Sequence, residues 1–317
     1  MEDIRQTLHP LVIDRRNPVR LQKDMSAYPS GIIFPVDKPY RWTSSDVVRR
    51  IKFILRAHFN TKNVKIGHAG TLDPLATGLL IVCVGKACKL SEALQAEKKE
   101  YIAEFTIGAT TPSFDREHPI DAVYSTSHIT AEDMKKAAES FKEQTEQMPP
   151  AYSAKYVNGT RSYYLARNGE ESDLKPAAVK IYSSELLAAR IPDVSQEAEW
   201  KEYSSQALPL INSLSRPSYG EDALSNTFVV KKRIASEENN PVVRYTEGSL
   251  LSPDQIRSLP SAVLRIECSK GTYIRSMARD YGAMLSSGAF MSALRRSASG
   301  GFRVEDALDV KEYFGQL

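Results

Sequence analysis

Apolar residues at Val47, Val48, Ile51, Ile54 and Leu55 recur at helical spacing, and Arg49, Arg50, Lys52 and Arg56 lie off that stripe. The pattern predicts an amphipathic helix that starts after the turn at 37–45, with Ser44 or Ser45 as its N-cap. Residues 79–84 are an unbroken apolar run, the pattern of a buried strand, and 31–36 read as a short strand before it. The segment 86–96 looks helical. Residues 101–108 alternate and end in Gly108, which predicts a half-buried strand. A second amphipathic helix is expected over 130–144, with Thr130 and Asp133 spaced as a capping pair. Met148-Pro149-Pro150 breaks the chain, and 151–177 offer many Tyr, Arg, Asn and Gly but little for a core. Strands are expected at 179–191 and 262–268. The turn Ser269-Lys270-Gly271-Thr272 then leads into a helix carrying Tyr273, Ile274, Met277, Ala278, Tyr281 and Leu285. Residues 301–308 read as a last strand before a short helix. Residues 1–30 lack periodicity and read as a loose N-terminal extension, and 193–260 as an inserted, partly flexible lobe. Strands and helices follow one another without a repeating βα beat. That favours an α+β fold with a mixed, largely antiparallel sheet over a doubly wound one.

Composition narrows the class. The chain has 317 residues, 42% of them hydrophobic and 26% charged, as in an ordinary soluble protein. No segment approaches the roughly eighteen unbroken apolar residues of a membrane span, and the N-terminus lacks the apolar segment of a signal peptide. Cys83, Cys88 and Cys268 read as reduced thiols in a cytoplasmic protein, and the scattered histidines give no metal spacing. The formal net charge is only +3, but it is unevenly spread. Residues 41–100 hold eleven Lys/Arg against five Asp/Glu, whereas 193–261 hold seven against ten. A basic zone of this kind suits a polyanion such as RNA, or is simply a solvated surface; charge alone leaves both open.

The candidate chemistry lies inside that basic zone. Gly67-His68-Ala69-Gly70-Thr71-Leu72-Asp73-Pro74-Leu75-Ala76-Thr77-Gly78 sets one carboxylate, Asp73, in a Gly- and Pro-built loop just before the apolar run. The chain has no phosphate-binding Gly-x-x-x-x-Gly-Lys loop, no dinucleotide fingerprint, no Gly-x-Ser-x-Gly elbow and no His-Glu-x-x-His. What remains is a carboxylate acting alone as nucleophile or base, able to attack an anomeric carbon or an electron-poor ring. A neighbouring Arg would keep it ionised, and the basic motif Lys270-Gly271-Thr272-Tyr273-Ile274-Arg275 supplies candidates.

Several motifs in series resemble the TruB-type tRNA pseudouridine synthases. They are Lys38-Pro39 with Trp42-Thr43-Ser44 and Asp46-Val47-Val48, the 67–80 loop, Lys99-Glu100-Tyr101, Gly108 through Thr110-Thr111 to Asp115, Pro149-Pro150-Ala151-Tyr152-Ser153-Ala154, Gly159-Thr160-Arg161-Ser162-Tyr163, the 270–275 motif and Leu294-Arg295-Arg296. The resemblance implies a pseudouridine synthase catalytic domain over 31–317, with an RNA-pinching thumb at about 148–170. It also implies conversion of a flipped uridine in the tRNA T-loop, at conventional position 55, to pseudouridine. On this basis Asp73 is the nucleophile, Tyr101 stacks on the uracil and takes part in removing the C5 proton, and Arg275 pairs with Asp73. His68 supports the RNA loop, Leu294 packs on the base, and Lys38, Tyr152, Arg161 and Tyr273 join the RNA contacts. Whether Asp73 attacks sugar or ring stays open. No cofactor and no metal is implied, and the protein is expected to act as a monomer on the T-arm, away from membranes.

The chain departs from the family pattern in two places. Lys155 stands one position early in the thumb, and the C-terminal PUA-type RNA-binding domain that many members carry is not expected here. Two rival functions stay in view: an RNA-binding or tRNA-chaperone protein with weak catalysis, and a guide-RNA-dependent synthase subunit.

Overall fold

The computed structural model describes residues 8–157, 159–170, 173–192, 200–202, 209, 213–214 and 250–317. Most of the expected 193–260 lobe lies outside these residues. The larger elements, in chain order, are β1 (Leu11–Val12), β2 (Ile32–Lys38), α1 (Ser44–His58), β3 (Ile66–His68), β4 (Ala76–Val84), α2 (Ser91–Ala96), β5 (Lys99–Ile107), α3 (Ala131–Ser140), β6 (Ile181–Arg190), β7 (Trp200–Glu202), β8 (Ser261–Cys268), α4 (Ile274–Met284), β9 (Ala289–Ser299), β10 (Leu308–Asp309) and α5 (Val310–Gly315). Parallel and antiparallel strands are mixed, and the α+β reading holds. The chain divides into two compact units, Met1–Tyr101 with Arg295–Leu317, and Ile102–Leu294. It passes from one to the other within β5 and returns within β9.

The first unit is built around β4. β2 runs antiparallel to it, from Ile32 opposite Val84 to Lys38 opposite Gly78, and β3 pairs with its last residues. β1 and β10 lie parallel to β2. Side chains alternate across a strand, so Leu80, Val82 and Val84 face one way and Leu79, Ile81 and Cys83 the other. The first set packs with Val47, Ile51 and Leu55 of α1 and with Phe314 of α5, the second with Ile33, Ala69, Ala87 and Val304. Burial on both faces is why β4 is apolar at every position from 79 to 84.

Two expectations change here. Residues 8–30 are not loose: Leu11 and Val12 pair with Ile32 and Ile33, and Ile13, Leu21 and Tyr28 are buried in the α1 core. Their short, irregular segments pack one side chain at a time and so leave no periodic trace. The cap of α1 is Thr43 rather than Ser44 or Ser45; Thr43 and Asp46 form a reciprocal capping box, which leaves the Ser44 hydroxyl for another partner.

In the second unit β6 and β8 pair antiparallel from Ile181 opposite Cys268 to Arg190 opposite Ser261, with two register shifts, and β7 pairs with the end of β6. The α3 box, Thr130 with Asp133, is present as expected. Tyr281 of α4 lies against Phe105 and Phe141, and its hydroxyl donates to the Met134 carbonyl of α3 at 2.8 Å. From Ile102 onward β5 is buried on both faces, not half-buried, since Glu104 and Thr106 are buried with their apolar neighbours.

Candidate functional site

The loop carrying Asp73 is fastened from several directions. Below it, the Ser44 hydroxyl accepts from the Leu72 amide at 2.9 Å and donates to the Leu72 carbonyl at 3.1 Å. The Arg41 amide donates to the Pro74 carbonyl at 2.9 Å, and the Ala76 amide to the Asp73 carbonyl at 3.1 Å. Lys38, at the end of β2, is 0% exposed. Its ammonium donates to the carbonyls of Pro39 (3.1 Å), Trp42 (2.5 Å) and Pro74 (3.3 Å). Burial pulls its pKa down to about 7, against the opposing pull of the Asp73 carboxylate. Lys38 is therefore a prop beneath the loop and not a contact that RNA can reach, which corrects the expectation from sequence.

A second buried cation holds the loop from the C-terminal end of the chain. Arg296 of β9 is 1% exposed; its Nε donates to the Leu79 carbonyl at 2.6 Å and its Nη2 to the Gly70 carbonyl at 3.0 Å. Gly78 lies against the Arg296 backbone. A Cβ there would come within 2.4 Å of the Arg296 oxygen, and its φ of +97° also demands glycine. Next to it, Arg295 grips Asp37 of β2 through two bonds, of 2.6 and 3.1 Å. Arg296 belongs to the Leu294-Arg295-Arg296 motif, yet sequence alone assigns it no role. The adjacent arginines of Leu294-Arg295-Arg296, too polar for a plain strand, were the available signal.

Asp73 itself is half-exposed at the top of this support. His68, on β3, is half-buried, and burial together with the Arg296 charge lowers its pKa. A neutral imidazole in this setting suits a packing or hydrogen-bonding part better than a phosphate clamp. Tyr101, half-buried in β5, closes the first unit's share of the candidate residues.

The second unit holds the others. Arg275, in the first turn of α4, is only 5% exposed. It donates to the Tyr152 carbonyl at 2.9 Å and the Ser113 carbonyl at 3.3 Å, and lies 3.7 Å from the Asp115 carboxylate. Asp115 is in turn held by the Ser113 hydroxyl at 2.6 Å and the Glu117 amide at 2.9 Å. A buried ion pair of this kind persists only when hydrogen bonds also hold its members, and both Arg275 and Asp115 have them here. The Tyr152 ring packs on His118 with centroids 4.3 Å apart. Tyr273 is half-buried, and its amide and carbonyl are both taken by the buried Gln147 side chain, at 2.8 and 3.1 Å. Leu294 is buried. In the thumb segment, Tyr156–Val157 and Thr160–Arg161 form a short hairpin, and Arg161 stacks over Tyr156 at 4.9 Å while its Nε donates to the Tyr156 hydroxyl. The structure thus gathers Lys38, His68 and Asp73 around one loop, and Arg275 with Tyr152 around another.

Among the described residues no group of three His, Cys, Asp or Glu is placed to hold a metal, and no helix is long and apolar enough to cross a membrane. The geometry sets the half-exposed Asp73 carboxylate on a loop held by Ser44, Lys38 and Arg296.

Residues 56–203 match the family model described as TruB family pseudouridylate synthase (N terminal domain). The chain is 36% identical to tRNA pseudouridine synthase B of Phocaeicola vulgatus, across 90% of this chain and 93% of that protein. It is 37% identical to the protein of that name from Bacteroides thetaiotaomicron (90% and 92%), and 34% identical to that of Thermus thermophilus (88% and 76%). A chain of the solved structure "Crystal Structure of a Cbf5-Nop10-Gar1 Complex" aligns with 86% of this chain and 50% of its own length, at 23% identity and a TM-score of 0.47. On the strength of the full-length relatives, the chain belongs to the TruB family of pseudouridylate synthases.

Proposed function

We propose that this protein is a cytoplasmic, monomeric enzyme that converts uridine to pseudouridine in the T-loop of tRNA, at position 55, with Asp73 as nucleophile. The observation that carries the reading is the setting of Asp73: a half-exposed carboxylate on a loop immobilised by Ser44, Lys38 and Arg296. Such pre-organisation holds a reacting group in attack geometry without further cost at the moment of reaction. The relatives' shared name, tRNA pseudouridine synthase B, supports the substrate class.

In this reading the target uridine leaves its stack. Asp73 forms a covalent bond to C1′ of the ribose or to the uracil ring. The N1–C1′ bond breaks, the base rotates, and C5 bonds to C1′. The C5 proton is lost, N1 gains one, and the Asp73 carboxylate is released. No electrons are gained or lost. Tyr101 stacks on the uracil and assists at C5, Arg275 keeps Asp73 ionised, Leu294 packs on the base, and His68, Tyr152, Arg161 and Tyr273 complete the RNA contacts. The Arg161–Tyr156 hairpin serves as the thumb.

The test is incubation with an unmodified tRNA transcript and no added cofactor, with pseudouridine mapped by chemical derivatisation. We expect a single modified T-loop position, and a loss on the order of 10⁴-fold or more for Asp73→Asn and Asp73→Ala. A T-arm stem-loop with 5-fluorouridine at the target should trap an adduct that Asp73→Ala does not form. Equal product from wild type and Asp73→Ala would overturn the assignment.

A further inference from the structure

The outer face of α1 is not explained by the reaction. Val47, Ile51 and Leu55 bury one side of this helix. On the opposite side, Arg49, Phe53 and Arg56 fall into one line by helical spacing, flanked by Arg50, and all four are exposed. Phe53, in the middle of that line, is 69% exposed. An aromatic ring held this far out of the core, among three guanidinium groups, leaves most of its apolar surface in water and available to a partner.

The charge around it has one sign. From Val47 to Leu72 there are six Lys/Arg and no Asp or Glu. Lys62 and Lys65, in the stretch after α1, are also exposed. The nearest acid, Asp46, is bound to Arg49 and to Thr43 in the capping box, so it offsets only the start of the stripe. The position of the helix adds the link to function. α1 begins at Ser44, whose hydroxyl is bonded to Leu72, one residue from Asp73. At 1.5 Å per residue, the stripe therefore extends to Arg56 about 18 Å from the reacting loop.

We infer that the Arg49–Phe53–Arg56 face, with Arg50, is an RNA-binding surface that grips the substrate's sugar–phosphate backbone beyond the nucleotide held at Asp73. The guanidinium groups take phosphates, and Phe53 covers a ribose or a base face. This rests on the reading of the protein as a tRNA-modifying enzyme, and supplies it with a grip outside the reaction loop. An acidic protein partner would also meet the charge, but RNA offers both a phosphate run and flat apolar faces for the ring between them.

The experiment uses the full chain in two backgrounds. In Asp73→Asn protein, binding of unmodified tRNA is measured across a salt series, with and without Arg49→Gln, Arg50→Gln and Arg56→Gln together, and separately with Phe53→Ser. We expect the triple change to weaken binding at least tenfold near physiological salt. It should also flatten the plot of log Kd against log salt by about 2 to 3, one increment of 0.7–0.9 per lost phosphate contact. Phe53→Ser should weaken binding a few-fold with the slope unchanged, and Phe53→Tyr should restore it. In the Asp73 background, the triple change should raise KM and leave kcat at saturating tRNA as it was. All four side chains are exposed, and the one bond lost is the exposed Arg49–Asp46 pair at the α1 cap, so melting temperatures should move by no more than about 2 °C alongside these effects. An unchanged affinity and salt slope overturns the surface. If the salt slope flattens but the Asp73 protein forms no pseudouridine, the surface stands and the catalytic reading falls.

Discussion

Asp73 depends on the residues beneath it, and Lys38 is the one whose charge state is in play. Three carbonyls around its nitrogen ask for three N–H donors, which only the ammonium has. Burial works the other way and brings its pKa down to about 7. In the unfolded chain a lysine titrates near 10.4. Between about pH 7 and 10 the unfolded state therefore binds the extra proton, so this group adds stability as pH rises and loses it as pH falls back through about 7. Melting temperatures of wild type and Lys38→Met should diverge accordingly, with wild type gaining on the variant above pH 7. A difference that stays flat from pH 6 to 9 would mean that the carbonyl cradle and Asp73 keep the proton in place throughout. Little of this could be read in the sequence. Lys38 in a Lys-Pro pair looked like a surface cation, since nothing local reports that β2 ends under a loop 35 residues away.

At the level of elements, legibility followed periodicity. The stripe of α1 and the apolar run of β4 carry their pattern in consecutive positions of one segment, whichever distant part of the chain covers them, and both are legible. β9 was missed. Its sequence, Ala-Phe-Met-Ser-Ala-Leu-Arg-Arg-Ser-Ala-Ser, has no clean alternation, because its arginines are buried by bonds to distant carbonyls and carboxylates instead of facing water. Glu104 and Thr106 misled in the same way, as polar residues in a strand covered on both sides. The α1 cap shows how one local choice reaches the site. With Thr43 at the cap, Ser44 is free to tie down Leu72. Thr43→Ala should cost about 1 kcal/mol of stability, read by chemical denaturation. It should also lower kcat, since the first turn of α1 holds the Asp73 loop. Ser45→Ala, which removes the cap first expected, should change neither, and a larger effect from Ser45→Ala than from Thr43→Ala would refute the assignment.

For the molecule as a whole, the decisive fact is that the first unit is assembled from both ends of the chain. Arg296 reaches Gly70 across 226 positions, and Phe314 packs on Phe34. The same holds for the N-terminal segment. Ile13, Leu21 and Tyr28 are buried against α1 and β2, the Ile13 amide donates to the Ile33 carbonyl, and Arg15 donates to the Asp306 carbonyl. Burial of side chains of this size contributes about 1.5–3 kcal/mol each, and the stability of a domain is only about 5–15 kcal/mol. Removal of residues 1–30 should therefore unfold the first unit or lower its melting temperature by at least 10 °C, and Ile13→Ala alone should cost about 2–5 kcal/mol. The loss reaches the chemistry through β2, since that strand ends at Asp37 and Lys38, the partners of Arg295 and of the Pro74 carbonyl. Where a truncated protein stays folded at low temperature, its activity should fall further than its population of folded molecules, because the prop under Asp73 loosens before the core gives way. A truncation that melts within 2 °C of the full chain and keeps full activity would show that these contacts support neither the core nor the loop.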